Sequence, residues 1–329
     1  MVRAYVFTPF AMKPLIAPKD LDPCQSQALR IFLTPPPPPP PPTLMGLCCL
    51  VGLPANIAVV VVILRQVKID NVTLKLMLNL ACSDILCLAS LPVWIYSLLC
   101  GWNLGRGLCK FFSFMVYCSL YINIMTVTMM SVQRYVSVLY PHQWARLGRR
   151  GEKILLPALW GLACILTGPA VATRNTVVTG SRLSCQRHTE SDWEIVAVLL
   201  LETLVGFVLG SILVTFYFLL HKRVNQTALF STQRMTRLVT GITVTFIILW
   251  VPVHVVNIVD ISATLLKYSH PVTSAKLKTF GKLTGDFAKC LTFVNSCVDP
   301  FLYAFAFQRI WQRRPAKREK ADPAIQICV

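Results

Sequence analysis

Several ionisable and amide side chains lie where the surrounding sequence is almost wholly apolar, and these are the first candidates for chemistry. Asp84 stands inside the run 76–99 and Asp299 inside 277–305, while Asn123, Asn295 and Ser296 sit in similarly apolar text. A carboxylate at the centre of a hydrocarbon layer costs roughly 3 kcal/mol on insertion scales, so such groups face inward and find partners. These five oxygen-bearing side chains are expected to form one polar network, and because two acids in one network repel, one of them is expected to be protonated. Arg134 follows Asn123 by eleven residues (134 − 123), about three helical turns, which keeps it on the same stripe. Phe246 and Trp250 are one turn apart with Pro252 just beyond. A proline there breaks the backbone ladder, and a bent helix carrying bulky aromatics at the bend can act as a lever; Pro300 offers a second bend. Toward the other ends of the apolar runs stand Arg174, Glu202, His254 and Asn257. A guanidinium in such a place suits a planar anion better than an ammonium does. Catalysis is not indicated: the five histidines are scattered, and no metal-spaced His or Cys pair, phosphate loop or nucleophile elbow occurs.

The elements that must position these groups follow from composition. In 329 residues, 55% are hydrophobic and only 14% charged, with a mean hydropathy of +0.59, more apolar surface than a soluble domain can bury. Apolar runs recur at 44–64, 76–99, 109–139, 154–173, 195–220, 238–266 and 277–305. Each is about 20 residues or longer, enough to cross a core of about 30 Å as a helix. The fold class expected is therefore all-α, a bundle of seven transmembrane helices over residues 44–304. Residues 305–311 form an amphipathic stretch that reads as a short cytoplasmic membrane-surface helix, and 305–329 include a short basic tail.

Orientation follows from the Lys/Arg content of short loops. Arg65, Lys68, Arg146, Arg149, Arg150, Lys153, Lys222, Arg223, Arg234, Arg237 and the basic residues after Arg309 fall on one side, which is expected to be cytoplasmic, with the N-terminus outside. The net charge of +18 is thus distributed as membrane topology requires and implies lipid as a partner rather than nucleic acid. The opposite loops are mildly basic, with Arg174, Arg182 and Arg187 before Glu190, Asp192 and Glu194, and a last loop holding Lys267, Lys276, Lys278 and Lys282. Residues 1–43 contain the proline run 35–42, read as a stiff, disordered extracellular spacer without a signal peptide. The sequons at Asn71 and Asn225 fall on the cytoplasmic side and are discounted. Of the 13 cysteines, Cys82, Cys87, Cys118, Cys164, Cys290 and Cys297 lie in apolar runs and read as buried small side chains, whereas Cys109 and Cys185 lie in polar flanks on the outer side.

One motif per span then carries a resemblance. Gly52-Leu53-Pro54-Ala55-Asn56, Leu80-Ala81-Cys82-Ser83-Asp84, Gln133-Arg134-Tyr135 with Pro141, Trp160, Phe246 with Trp250-Val251-Pro252, and Asp299-Pro300-Phe301-Leu302-Tyr303 occur in order. Together they resemble the class A, rhodopsin-like G-protein-coupled receptors over about residues 46 to 312. The resemblance implies a multi-pass plasma-membrane receptor with no enzymatic activity. It implies a sodium and water site at Asp84, Asn123, Asn295, Ser296 and Asp299; the alternative is a hydrated network without an ion. It implies a Cys109–Cys185 disulfide over the ligand pocket, and an activation switch made of Arg134, Tyr135, Phe246, Trp250, Pro252, Pro300 and Tyr303. In the family an acid usually precedes the arginine; Gln133 stands here, so the restraint on the inactive state should be weak and basal signalling raised.

The segments Ala172-Thr173-Arg174-Asn175-Thr176-Val177-Val178, Glu202-Thr203-Leu204-Val205-Gly206-Phe207-Val208-Leu209 and Trp250 to Asn257 are similar to those of the leukotriene B4 receptors. That likeness implies a lipid with one carboxylate and two hydroxyls and an inhibitory-class heterotrimeric G-protein as partner. Arg174 would take the carboxylate, and Glu202, Asn257 and Tyr121 the hydroxyls, with His254 and Lys289 completing the candidate set. The bland alternatives are that Arg174 reaches lipid phosphate, that Glu202 pairs with His254 or Lys289, and that Asn257 bonds only backbone. Ser113, Gly210 and Phe218 depart from the leukotriene pattern, and 305–329 hold no Ser or Thr for kinases. A peptide chemoattractant receptor of the formyl-peptide or complement type, and a non-signalling scavenging receptor, are the alternative functions. A proton-relaying transporter would have no use for Arg134 and Trp250 together. An opsin needs a lysine where Phe293 stands.

Overall fold

A computed structural model describes residues 41–66, 72–179, 182–224 and 230–311, with side chains except at 41, 66, 141–150, 152–153, 179, 223–224, 230–239 and 303–311. Eight helices and one hairpin are seen among them: α1 (Pro41–Gln66), α2 (Val72–Ala89), α3 (Leu91–Cys100), α4 (Gly105–Leu139), α5 (Pro141–Ala172), β1 (Arg174–Thr179), β2 (Arg182–Arg187), α6 (Asp192–Val224), α7 (Phe230–Leu265) and α8 (Pro271–Trp311). In hydrocarbon every backbone N–H and C=O must be satisfied within the segment, which is why each apolar run becomes a helix. α2 and α3 together form one span of 29 residues, Val72–Cys100. The break between them falls at Ser90, two residues before Pro92, whose ring removes a donor. The Ser90 hydroxyl donates to the Cys87 carbonyl at 2.7 Å and stitches the bend.

Among the described residues, six spans are long and apolar enough to cross a membrane by length and composition. The seventh, α8, carries Lys276, Lys278, Lys282, Asp286, Lys289 and Asp299 along its 41 residues and closes the bundle by packing on α7 and α1. α1 meets α2, α2 meets α4, α4 meets α5 and α6, and α6 meets α7, so the helices form a closed ring with α4 reaching most of the others. The core follows the same geometry: Leu76, Met77 and Leu80 of α2 pack with Ile122, Val127 and Met130 of α4 and with Phe246 and Trp250 of α7. A second cluster joins Cys48 of α1, Cys87 and Leu88 of α2, Leu91 of α3, and Cys290, Phe293 and Cys297 of α8. Gly52 is required there: a Cβ would lie 2.6 Å from the Cys297 sulfur and 2.8 Å from Leu88.

The expected elements need five corrections. The hairpin β1–β2 was not anticipated; it occupies the loop after α5. α1 begins at Pro41, so the last two prolines of the run enter a first helical turn, where a missing N–H costs nothing. Lys276, Lys278 and Lys282 lie on α8 rather than in a loop, and α8 runs to Trp311 without a break where a separate surface helix was expected over 305–311. Cys164 is exposed and Cys82 half-buried, not enclosed like the other four apolar-run cysteines. The expectations for residues 1–40, both sequons at Asn71 and Asn225, and the tail beyond 311 concern segments outside the described residues.

Candidate functional site

The hairpin is what brings the outer site together. Its antiparallel register sets Arg174 directly opposite Arg187, and Thr176 opposite Cys185. Cys185 is disulfide-bonded to Cys109 near the start of α4, the pairing implied by the resemblance. The Trp102 N–H adds a backbone bond of 2.8 Å to the Leu183 carbonyl, and the Trp102 side chain is buried against Trp94 with ring centroids 5.6 Å apart. Gly101, at φ 84°, makes the turn that precedes this tryptophan.

Two guanidiniums held side by side repel unless something negative or electron-rich stands between them. Here one phenol and one carboxylate do so. Arg174 donates to the Tyr117 hydroxyl at 2.7 Å and lies 5.4 Å from that ring's centroid; Arg187 donates to the same hydroxyl at 3.3 Å. Arg187 also pairs with Glu202 of α6 at 2.5 Å, with side chains only 17% and 13% exposed. The other Glu202 oxygen accepts from the Asn257 amide at 3.4 Å. Burial works against the Arg187 charge, but Tyr117 and Glu202 more than offset it and hold the group above the ordinary arginine range. The Nε–H of each arginine is buried and finds no partner among the described residues. Two cations thus converge on one anion, leaving an excess positive charge in a largely buried cluster, the arrangement that draws in an anionic ligand.

Below this set the residues lead inward along α7. His254 is one turn from Asn257, and its ring centroid lies 5.4 Å from Trp250, which stacks on Phe246 at 4.8 Å with an interplanar angle of 25°. Gly206 of α6 makes room for this histidine, since a Cβ there would come within 2.2 Å of the imidazole. Both His254 nitrogens are buried without a partner among the described residues. Tyr121, one turn below Tyr117 on α4, is 5% exposed. Lys289 does not form the alternative pairing with Glu202. On α8, Gly281 and Gly285 face Asp260 and Val256 of α7, while Cys290 and Phe293 face α1 and α2. At 100° per residue Lys289 falls between those faces, toward the bundle interior. It is exposed there and bonded to Asp286 at 3.3 Å, not to Glu202.

Sequence reasoning missed Tyr117 and gave Arg187 no role. The signal for Tyr117 was present, four residues before Tyr121 on the same stripe. Arg187 stands two residues from Cys185, but only strand pairing reveals that it meets Arg174.

Midway through the bundle, Asp84 accepts from Asn123 at 2.8 Å, and the Ser83 hydroxyl bonds the Asn123 carbonyl. Ser296 and Asp299 are close enough to act on the Asp84 charge. Asn56 donates to the Ser296 backbone carbonyl at 2.8 Å and ties α1 to α8. Asp84 Oδ2, Asn295 Oδ1, Ser296 Oγ and both Asp299 oxygens are buried with no hydrogen-bond partner among the described residues. An all-oxygen set of this kind fits a hard monovalent cation and its waters.

At the inner end Gln133 does not address Arg134. Its carbonyl accepts from the Thr73 hydroxyl at 3.1 Å, joining α4 to α2. Arg134 Nε and one of its terminal nitrogens are buried without partners among the described residues. Tyr135 packs edge-on against Phe216 of α6, ring centroids 5.3 Å apart. Pro252 and Pro300 lie inside α7 and α8, and the Tyr303 side chain lies outside the described residues.

A closed ring of seven spans, a disulfide-pinned outer hairpin, a buried polar centre and an arginine at the inner end define a transmembrane receptor. Residues 55–303 match the family described as 7 transmembrane receptor (rhodopsin family), and the chain belongs to that family. It is a multi-pass receptor of the plasma membrane, not an enzyme, linking an extracellular ligand to a heterotrimeric G-protein. Among its relatives, the type-2 angiotensin II receptor of Homo sapiens is 30% identical over 277 residues, covering 80% of this chain and 75% of that protein. Leukotriene B4 receptor 1 of Homo sapiens is 30% identical over 270 residues, with the same 80% and 75% coverage. C-X-C chemokine receptor type 2 of Oryctolagus cuniculus is 27% identical over 299 residues, covering 88% and 80%. These relatives set the chain in the peptide and chemoattractant branch, and identity alone does not separate a peptide ligand from a lipid one.

Proposed function

We propose that this receptor binds a small anionic lipid chemoattractant, leukotriene B4, and signals through an inhibitory-class heterotrimeric G-protein. The observation that carries the reading is the pairing of Arg174 with Arg187 over the shared Tyr117 hydroxyl, with Glu202 as the one carboxylate among their hydrogen-bond partners in the described residues. A ligand carboxylate is planar and can take two guanidinium N–H bonds from each arginine. Its hydroxyls would meet Glu202, Asn257 and Tyr121, with His254 and Lys289 at the margins. Ligand pressing on Asn257 and His254 moves the Trp250 and Phe246 stack, and the bend at Pro252 turns that into outward motion of the inner end of α7. Asp84, Asn123, Asn295, Ser296 and Asp299 would hold a sodium ion, whose charge would offset the two carboxylates and stiffen the inactive arrangement, and Pro300 and Tyr303 would carry the switch past this network. Arg134 and Tyr135 would then face the G-protein.

The second reading, a peptide chemoattractant receptor, is favoured by the angiotensin II receptor match at the same 30% identity. A scavenging receptor is favoured by the Gln133–Thr73 bond, which leaves Arg134 without its usual neighbouring acid. Ligand-stimulated loading of a GTP analogue on inhibitory-class G-protein separates the three. Loading by nanomolar leukotriene B4 supports the lipid reading, loading by formyl, complement or angiotensin-type peptides alone supports the second, and saturable binding without loading supports the third.

A further inference from the structure

The outer site and the inner switch leave unused a pair of thiols between two spans. Cys118 of α4 and Cys164 of α5 hold their sulfurs 3.9 Å apart. Cys118 is 4% exposed, whereas Cys164 is exposed on the outer face of the bundle. That face of α5 is open: a Cβ added to Gly161 or Gly168, one turn to either side of Cys164, would meet no atom within 4 Å. The next turn carries Thr167, whose buried hydroxyl lies beside the Cys118 thiol. Other thiols are placed differently. Cys48 and Cys297 also lie together, with the Cys297 thiol 3.3 Å from the Cys48 carbonyl, but they are only 5% and 9% exposed and enclosed by α1, α2 and α8.

We propose that Cys118 and Cys164 form a dithiol modification site, oxidised to a disulfide by hydrogen peroxide entering from the lipid side and bridged by trivalent arsenicals. Cys164 is the sulfur a small oxidant reaches. Its sulfur attacks one peroxide oxygen as the Cys164 thiol proton passes to the departing oxygen; the O–O bond breaks, water leaves, and a sulfenic acid remains. The Cys118 sulfur then attacks that sulfenic sulfur, the S–O bond breaks, and a second water leaves with the Cys118 proton. Two thiols and one hydrogen peroxide thus give one disulfide and two waters. The sulfurs must close from 3.9 Å to about 2.05 Å, within reach of side-chain rotation and a small shift of α5. Cys118 follows Tyr117 directly, so the bridge pins α4 to α5 beneath the phenol that Arg174 and Arg187 share. It does not depend on the identity of the ligand.

The test uses the full chain in membranes, treated with hydrogen peroxide, then denatured, alkylated with N-ethylmaleimide and digested. The expected result is one linked peptide pair containing Cys118 and Cys164, about 2 Da lighter than the sum of its parts and separated by dithiothreitol. Phenylarsine oxide applied first should protect both thiols from alkylation. On oxidation the unfolding midpoint of the detergent-solubilised wild type should rise by several degrees, and that of Cys164→Ser should not move. Full alkylation of both thiols after peroxide, Cys164 recovered only as sulfonic acid, or Cys164 linked between two copies would each overturn the proposal.

Discussion

Arg174 and Arg187 differ in what holds them, and their replacements should differ accordingly. Among the described residues the Arg174 side chain is hydrogen-bonded to Tyr117 and lies over its ring, with no ion pair to Glu202, so Arg174→Ala should leave folding intact and weaken anion binding by about tenfold to a hundredfold, the equivalent of one charge-assisted bidentate contact. Arg187 is half of a buried ion pair, so Arg187→Ala strands Glu202 and should cost about 3–5 kcal/mol of stability as well as affinity. Thermal unfolding of Arg187→Ala with Glu202→Gln added should recover part of that loss; no recovery would mean the pair is not the cause. At the other end, Gln133→Asp should set a carboxylate beside Arg134 and lower basal GTP-analogue loading severalfold. Thr73→Val, which removes only the hydroxyl that Gln133 holds, should raise it. Equal basal loading in Gln133→Asp and wild type would remove Gln133 from the account. Most of these residues stood out in the sequence because each is polar in apolar text, whereas Tyr117 did not, since an aromatic on a membrane helix needs no explanation until its hydroxyl is seen accepting two guanidinium bonds.

At the level of elements, six spans were legible because hydrocarbon demands a long apolar run for each; the charged seventh, α8, was legible through its Asp299 to Tyr303 motif, and the proline bend between α2 and α3 fell within a run already recognised. The hairpin was not legible. Its strands are short, polar and basic, β1–β2 pairing is set by the Cys185 anchor and the Trp102 backbone bond, and neither acts on local sequence preference. Cys185→Ser should therefore release β2 and cost most of the ligand affinity while the spans remain assembled, a result that ligand binding and cell-surface expression measured together would check. Gly206 offers a complementary test between α6 and α7. Gly206→Ala places a methyl against His254 and should force the imidazole toward Trp250 at a cost of about 1–3 kcal/mol, seen as a lower unfolding midpoint. His254→Ala in the same background should restore it.

Taken as one molecule, the receptor is a polar column inside an apolar ring. Charge at the hairpin, an imidazole and two stacked aromatics beneath it, a carboxylate network at the centre and the buried Arg134 guanidinium at the inner end all lie within reach of α4 and α7. The family motifs made the centre and inner end readable before any coordinates. The outer end was read only in part, because ligand contacts come from residues far apart in sequence, brought together by a loop. An anion held by Arg174 and Arg187 would drive this column. Comparing leukotriene B4 with its methyl ester in GTP-analogue loading tests that most directly. The account requires nanomolar potency for the free acid, a loss of at least about tenfold for the ester, and no difference between the two once both arginines are alanine. Equal potency of acid and ester on the unmodified receptor would contradict it.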